Sequence, residues 1–154
     1  MDIFADLLNA VKSKLNNDAF FNTPVACEVL AETLPEIRKT GNDLLNTAGI
    51  VGIVAIPDLD RIEGDRFVLK GTVEFQENVK QNTEGTGGAN KTGSLCVQNT
   101  IGLLQRYRVP ILNSALVTYY PYSPLLITHA GFIGEVGGTN VWEVEFETLI
   151  GLAA

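Results

Sequence analysis

The feature that most constrains this chain is the alternation through residues 67–76. Phe67, Leu69, Val73 and Phe75 fall on one side, and Val68, Lys70, Thr72, Glu74 and Gln76 on the other. Successive side chains of a strand point to opposite faces, so this period of two predicts a long strand with one dry and one wet face. Upstream, Ile50-Val51-Gly52-Ile53-Val54-Ala55-Ile56 is a continuous apolar run ending at Pro57. Such a run reads as a strand covered on both faces. Residues 57–65 between the two predict a polar turn.

Helices must supply the covering layer. Asp2 is placed to cap a first helix over residues 2–15, with Ile3, Phe4, Leu7, Leu8, Val11 and Leu15 at helical spacing. Residues 25–30 form a short apolar run that reads as a strand. Thr33-Leu34-Pro35-Glu36 is a capping box opening a second helix, with Leu34, Ile37, Leu44, Leu45 and Ala48 as its buried stripe and Gly49 as its stop. A third helix is predicted over residues 89–107, with Cys96, Val97, Ile101, Leu104 and Tyr107 on one side. Strands are predicted at 116–120, 130–136 and 141–150, the last two joined by a hairpin at Gly137-Gly138-Thr139-Asn140. Trp142, Val144 and Phe146 then face the core, while Glu143, Glu145 and Glu147 make a negative rim on an edge strand. The order predicts an α+β fold: one two-layer domain over residues 1–154, a mixed, mainly antiparallel sheet with helices packed on one face, and an α+β core at 25–150.

With 154 residues, 45% of them hydrophobic, the chain can build a core without metals or disulfides. Cys27 and Cys96 read as two buried thiols, with a disulfide as the other option. One histidine and no Cys-x-x-Cys leave no metal-ligand spacing, and no cofactor is expected. The acidic start lacks the basic flank of a secretion signal, and no apolar run approaches the ~20 residues of a membrane span, so the expected location is the cytosol. A net charge of −7 opposes a phosphate-binding surface, because nucleic-acid affinity comes mainly from Lys and Arg. Acidity of this kind gives either solubility or a surface past which DNA slides without sticking.

No catalytic constellation stands out, and an enzyme is not expected. Gly85-Thr86-Gly87-Gly88-Ala89-Asn90-Lys91-Thr92 comes near the phosphate loop G-x-x-x-x-G-K-[ST], but Asn90 replaces the glycine whose backbone must approach the phosphates. A small phosphate- or nucleotide-binding protein using this loop and Lys91 is therefore a minor alternative to a capped helix start. His129 would have to serve any triad, and no partner motif surrounds it, so it reads as structural. The polar, glycine-rich loop at 79–88 is suited to ordering against a neighbour. It nominates Asn78, Lys80, Asn82, Glu84, Gly85 and Gly87 as assembly contacts. Tyr119, Tyr120 and Tyr122, near Pro121 and Pro124, form a second candidate contact surface, used for protein rather than bases because no basic neighbourhood accompanies them.

One combination carries a resemblance. Gly71-Thr72-Val73-Glu74-Phe75-Gln76-Glu77-Asn78-Val79-Lys80-Gln81-Asn82 is a long strand ending in Glu-Asn, with a second Asn four residues on. The glycine-rich loop and amphipathic helix follow, and Val141-Trp142-Glu143-Val144-Glu145-Phe146-Glu147-Thr148 is a strand of the Val-x-Phe-Glu-Thr type. Together, over residues 30–150, these resemble the small tail-terminator (tail-completion) proteins of tailed bacteriophages. One departure is the segment 109–128, longer and more aromatic than the family leads one to expect. The resemblance implies a virion protein assembled in the host bacterial cytoplasm. It implies a ring of copies, usually a hexamer, that stops tail-tube growth and joins tail to head. The implied partners are the tail-tube protein and a head-completion or neck protein, with DNA passing through unbound and no membrane involved. A tail-tube or neck adaptor (head–tail joining) subunit is the alternative within the same particle.

Overall fold

The computed structural model describes residues 3–22, 27–31, 36–79, 82, 91–109, 112–113, 118–121 and 123–153. Helix α1 (Ile3–Asn16) and the one-turn α2 (Ala19–Asn22) precede strand β1 (Val29–Ala31), helix α3 (Glu36–Thr47) and the pair β2 (Ile50–Glu63) and β3 (Arg66–Asn78). Helix α4 (Gly93–Leu104) follows, then β4 (Leu112–Asn113), β5 (Thr118–Pro121), β6 (Leu126–Val136) and β7 (Thr139–Ala153). One seven-stranded sheet runs β1-β2-β3-β7-β5-β4, with β6 also paired to β7. Only β1–β2 is parallel; every other pairing is antiparallel. The mixed, mainly antiparallel α+β fold is as the element order predicts.

Periodicity decides what each face buries. Leu69, Val73 and Phe75 of β3 join Val144, Phe146 and Ile150 of β7 beneath α1, α2 and α4. Helix α1 contributes Leu7, Leu8, Val11 and Leu15, and Phe21 of α2 stacks on Phe75 with ring centroids 6.0 Å apart. Burying each such side chain stabilises the fold by about 1.5–3 kcal/mol. Helix α3 lies on the other face at the β1–β2 edge, where Leu44 and Leu45 pack with Leu30 and Val51. That explains the unbroken apolar run: Ile50 and Val54 serve one face and Val51 the other.

Gly49 ends α3 with φ +84°, a conformation other residues adopt at a cost, and the amides of Ala48 and Gly49 return to Leu44 O at 2.8 and 3.3 Å. A Cβ at Gly49 would also sit 2.5 Å from the backbone nitrogen of Asn82. The β6–β7 hairpin closes on Gly137 and Gly138 alone, at φ +57° and +84°, with Val136 already paired to Thr139 and Glu135 to Asn140.

Several boundaries differ from the sequence reading. The stretch 57–65 is not a turn: β2 continues to Glu63, and only Gly64 and Asp65 turn. Pro57 falls in the irregularity between Ala55 and Asp58, where its missing N–H breaks no ladder bond. Beyond it, Asp60 pairs with Val68 and reaches Lys70 at 3.7 Å, and Arg61 Nε donates to Gly64 O at 2.9 Å. Helix α4 is shorter than 89–107. Thr92 caps it by accepting the Leu95 amide at 3.2 Å. It stops because Arg106, at φ +66°, sends its amide to Leu125 O at 2.9 Å. Strand β7 is central rather than an edge, with β3 on one side and β5 and β6 sharing the other. Residues 23–26 and 32–35, which hold part of the predicted strand at 25–30 and the capping box, lie outside the described residues.

Candidate assembly surface

The face of the sheet turned away from α1 and α4 gathers acid. In the β3–β7 register, Glu74 stands directly opposite Glu143, Thr72 opposite Glu145 and Lys70 opposite Glu147. On the far side of β7, His129 pairs with Glu145. Cross-strand neighbours of like charge repel. The carboxyl of Glu143 is accordingly raised above its ordinary value, by partial burial first, then by the hydrogen bond and charge of Glu145, with Glu74 adding and His129 opposing. No group of three His, Cys, Asp or Glu among the described residues is arranged to hold a metal ion.

Beneath the other face, at the start of α4, sits a buried polar node. Period two puts Glu77 on the same side as Phe75, and it is only 4 % exposed. Its Oε2 accepts the Gly93 amide at 3.0 Å and Asn82 Nδ2 at 3.2 Å. Asn82 Nδ2 also donates to Lys91 O at 2.9 Å. Lys91 is buried with Nζ 5.2 Å from the centre of the Phe20 ring, and it has no hydrogen-bond partner among the described residues. Trp142 packs over Gly93 so closely that a Cβ there has no room. Cys96 and Cys27 are both buried at the edge of this node; their shared hydrogen bond, then burial, pushes the Cys96 thiol far up and keeps it protonated.

This node bears on the phosphate-loop alternative. Two first-turn amides of α4 are already taken by the chain's own Glu77 and Thr92. A phosphate placed there would meet a buried carboxylate, and Lys91 lies in the interior instead of reaching for it. Helix α4 starts two residues beyond Lys91, whose buried ammonium lies over the Phe20 ring.

The nominated contacts divide. Asn78 ends β3, paired with Thr139, and its amide donates to Gly49 O at 2.8 Å. Asn82 is not a free loop residue: it is fully buried, and it orients the chain around α4 instead of offering a surface. Lys80, Glu84, Gly85, Gly87 and Tyr122 lie outside the described residues. Tyr119 and Tyr120 are on β5, in register with Leu152 and Gly151. His129 is exposed on β6.

Sequence reasoning missed an exposed apolar feature among the described residues, which is β6. Leu126, Phe132, Ile133 and Val136 are each more than half exposed, Val136 at 73 %. Phe132 is steadied by an edge-on contact with Trp142, centroids 5.1 Å apart. Gln105 accepts the Ile127 amide at 3.0 Å, and beyond that no described strand pairs with the free side of β6. The signal was present as an uncharged run, Ile127-Thr128-His129-Ala130-Gly131-Phe132-Ile133-Gly134, whose first half was left unassigned.

No helix among the described residues is long and apolar enough to cross a membrane. No family model matches the chain, and no curated protein matches it in sequence. The fold does match a chain of the solved structure described as "Virion of native gene transfer agent (GTA) particle". The match has a TM-score of 0.59 and 14% identity, covering 98% of this chain and 99% of that one.

Proposed function

We propose that this chain is a structural virion protein, a tail terminator whose copies form a ring, usually a hexamer, that caps the tail tube and joins it to the head through a neck protein. The observation that carries the reading is the end-to-end likeness to a chain of a virion-like particle, with neither chain having an unmatched domain. Three features of this chain support it. The acidic face formed by Glu74, Glu143, Glu145 and Glu147 suits a wall that DNA passes without sticking. The exposed apolar residues of β6, on a strand with no described neighbour on its outer side, suit contact with a protein neighbour. The buried node closes the start of α4 to phosphate. The ring assembles in the host cytoplasm and resides in the virion.

A tail-tube or neck-adaptor subunit is the other role compatible with the same likeness. Removing the gene and restoring it from a plasmid, with particles scored by electron microscopy, separates the roles. A terminator leaves overlong tails detached from heads, restored to normal length by the plasmid copy. Absence of tails altogether indicates a tube subunit, and normal particles overturn the reading.

A further inference from the structure

Among the described strands the sheet leaves two long edges free, on opposite sides. At one side β1 covers β2 only over Gly52–Val54, and residues 55–63, paired with β3 on their inner side, have no described strand on their outer side. The β1 edge itself is answered within the chain, since Asn16 accepts the Val29 amide at 2.9 Å and donates to Val29 O at 2.8 Å. At the other side lies β6, apolar and without proline, lysine or arginine to discourage a partner. We infer that β6 of one copy pairs antiparallel with residues 55–63 of β2 in the next copy, so that neighbouring subunits share one continuous sheet. The inference rests on the ring reading and specifies its interface.

Strand sense agrees. Three antiparallel steps separate β2 from β6, so the two run in opposite directions within one chain. A next copy in the same orientation therefore continues the alternation and keeps its α1, α2 and α4 on the same side as this copy's. Stagger agrees as well. Gly131, the middle of β6, lies in the row of Glu74, whereas Leu59, the middle of the free β2 segment, lies in the row of Leu69. Centre-to-centre pairing thus steps five residues, ~17 Å, along the strands for every four strands, ~19 Å across. That ratio corresponds to a strand tilt of about 40°, inside the ~35–45° that closed barrels adopt. The central pair β3–β7 is regular, while β2 and β6 carry the irregularities, at Ala55/Asp58, Arg61/Glu63, Ile127/His129 and Phe132/Gly134. Bulges add twist and curvature, which a sheet needs where it closes on a neighbour. In this register Glu135 falls opposite Ala55, clear of Asp58, Asp60 and Glu63, so charge does not oppose the pairing.

The test places Ala130→Cys and Asp60→Cys, opposite each other in this register, in one chain and carries it into particles. Purified particles are oxidised with copper phenanthroline and run on a non-reducing gel, with the wild-type chain as control. The expected result is a ladder of multimers that needs both cysteines. A dimer from Ala130→Cys alone means β6 pairs with β6 about a two-fold axis and overturns the inference. If the pair is not incorporated, Thr128→Cys with Ile62→Cys reads the same register. Incorporated chain without a ladder from either pair, or exclusion of both pairs from particles that incorporate the single variants, also overturns it. A ladder from chains spread along the whole tube would keep the pairing and sink the terminator reading. A single ring without the cross-link would do the reverse.

Discussion

Glu77→Ala probes the packing that fixes α4 against the sheet. The substitution strips the Gly93 amide of its acceptor at 3.0 Å and removes one of the two acceptors of Asn82 Nδ2. A buried donor left unsatisfied costs about 1–3 kcal/mol. Loss of the buried side-chain volume adds to this, for a total near 3 kcal/mol. For a chain of this size that corresponds to a fall in melting temperature of roughly 6–12 °C. Urea unfolding followed by circular dichroism measures it, with Glu74→Ala as the control: it is on the same strand but on the acidic face, and should stay within about 0.5 kcal/mol of wild type. Glu77→Gln, which keeps an acceptor oxygen, should fall between. A cost for Glu77→Ala below about 1 kcal/mol, or one no larger than that of Glu74→Ala, would refute the buried node.

Other consequences follow from the same geometry. Glu143 has a raised carboxyl, so the folded state holds its proton more tightly than the unfolded state. Its contribution is therefore most favourable below about pH 4.5 and is lost as pH rises. Glu143→Gln should accordingly stabilise by ~0.5 kcal/mol at pH 7, with the gain vanishing near pH 4 in paired thermal melts. Gly49→Ala forces a left-handed residue into the Asn82 backbone and should cost about 2–3 kcal/mol in urea unfolding. His129→Ala, at an exposed position, should leave stability within about 0.5 kcal/mol and particle yield unchanged in complementation. Replacing residues 83–88 with a Gly-Ser linker while sparing Asn82 should leave the melting temperature within a few degrees yet yield overlong or headless tails.

Much of the fold was legible because periodicity is a property of the chain itself. The β3 alternation, the stripe of α1, the doubly covered Ile50 run and the Gly137-Gly138 turn each follow from local spacing. What was hidden depends on neighbours far along the chain. Pro57 looked like a strand end because its tolerance depends on an irregularity set by β3 pairing. Glu143, Glu145 and Glu147 looked like an edge because the partners of β7 are decided by topology. Among the nominated residues, Asn78 ends β3 as the alternation led one to expect, but Asn82 was misread as a loop residue. The clue was Glu77: the same alternation that buries Phe75 buries it too, and a buried carboxylate must find donors. The β6 edge escaped notice because exposure is a tertiary fact, and an apolar strand reads alike whether it is buried or free.

In the proposed role this chain closes into one ring at the end of a tube. Electron cryo-microscopy of intact particles, with density for the chain located by fitting its sheet, tests it most directly. A single ring of copies should lie between the last layer of the tail tube and the neck, its acidic sheet face toward the DNA path. Density for the chain repeated along the length of the tube, or copies lying singly on the particle surface, would contradict it.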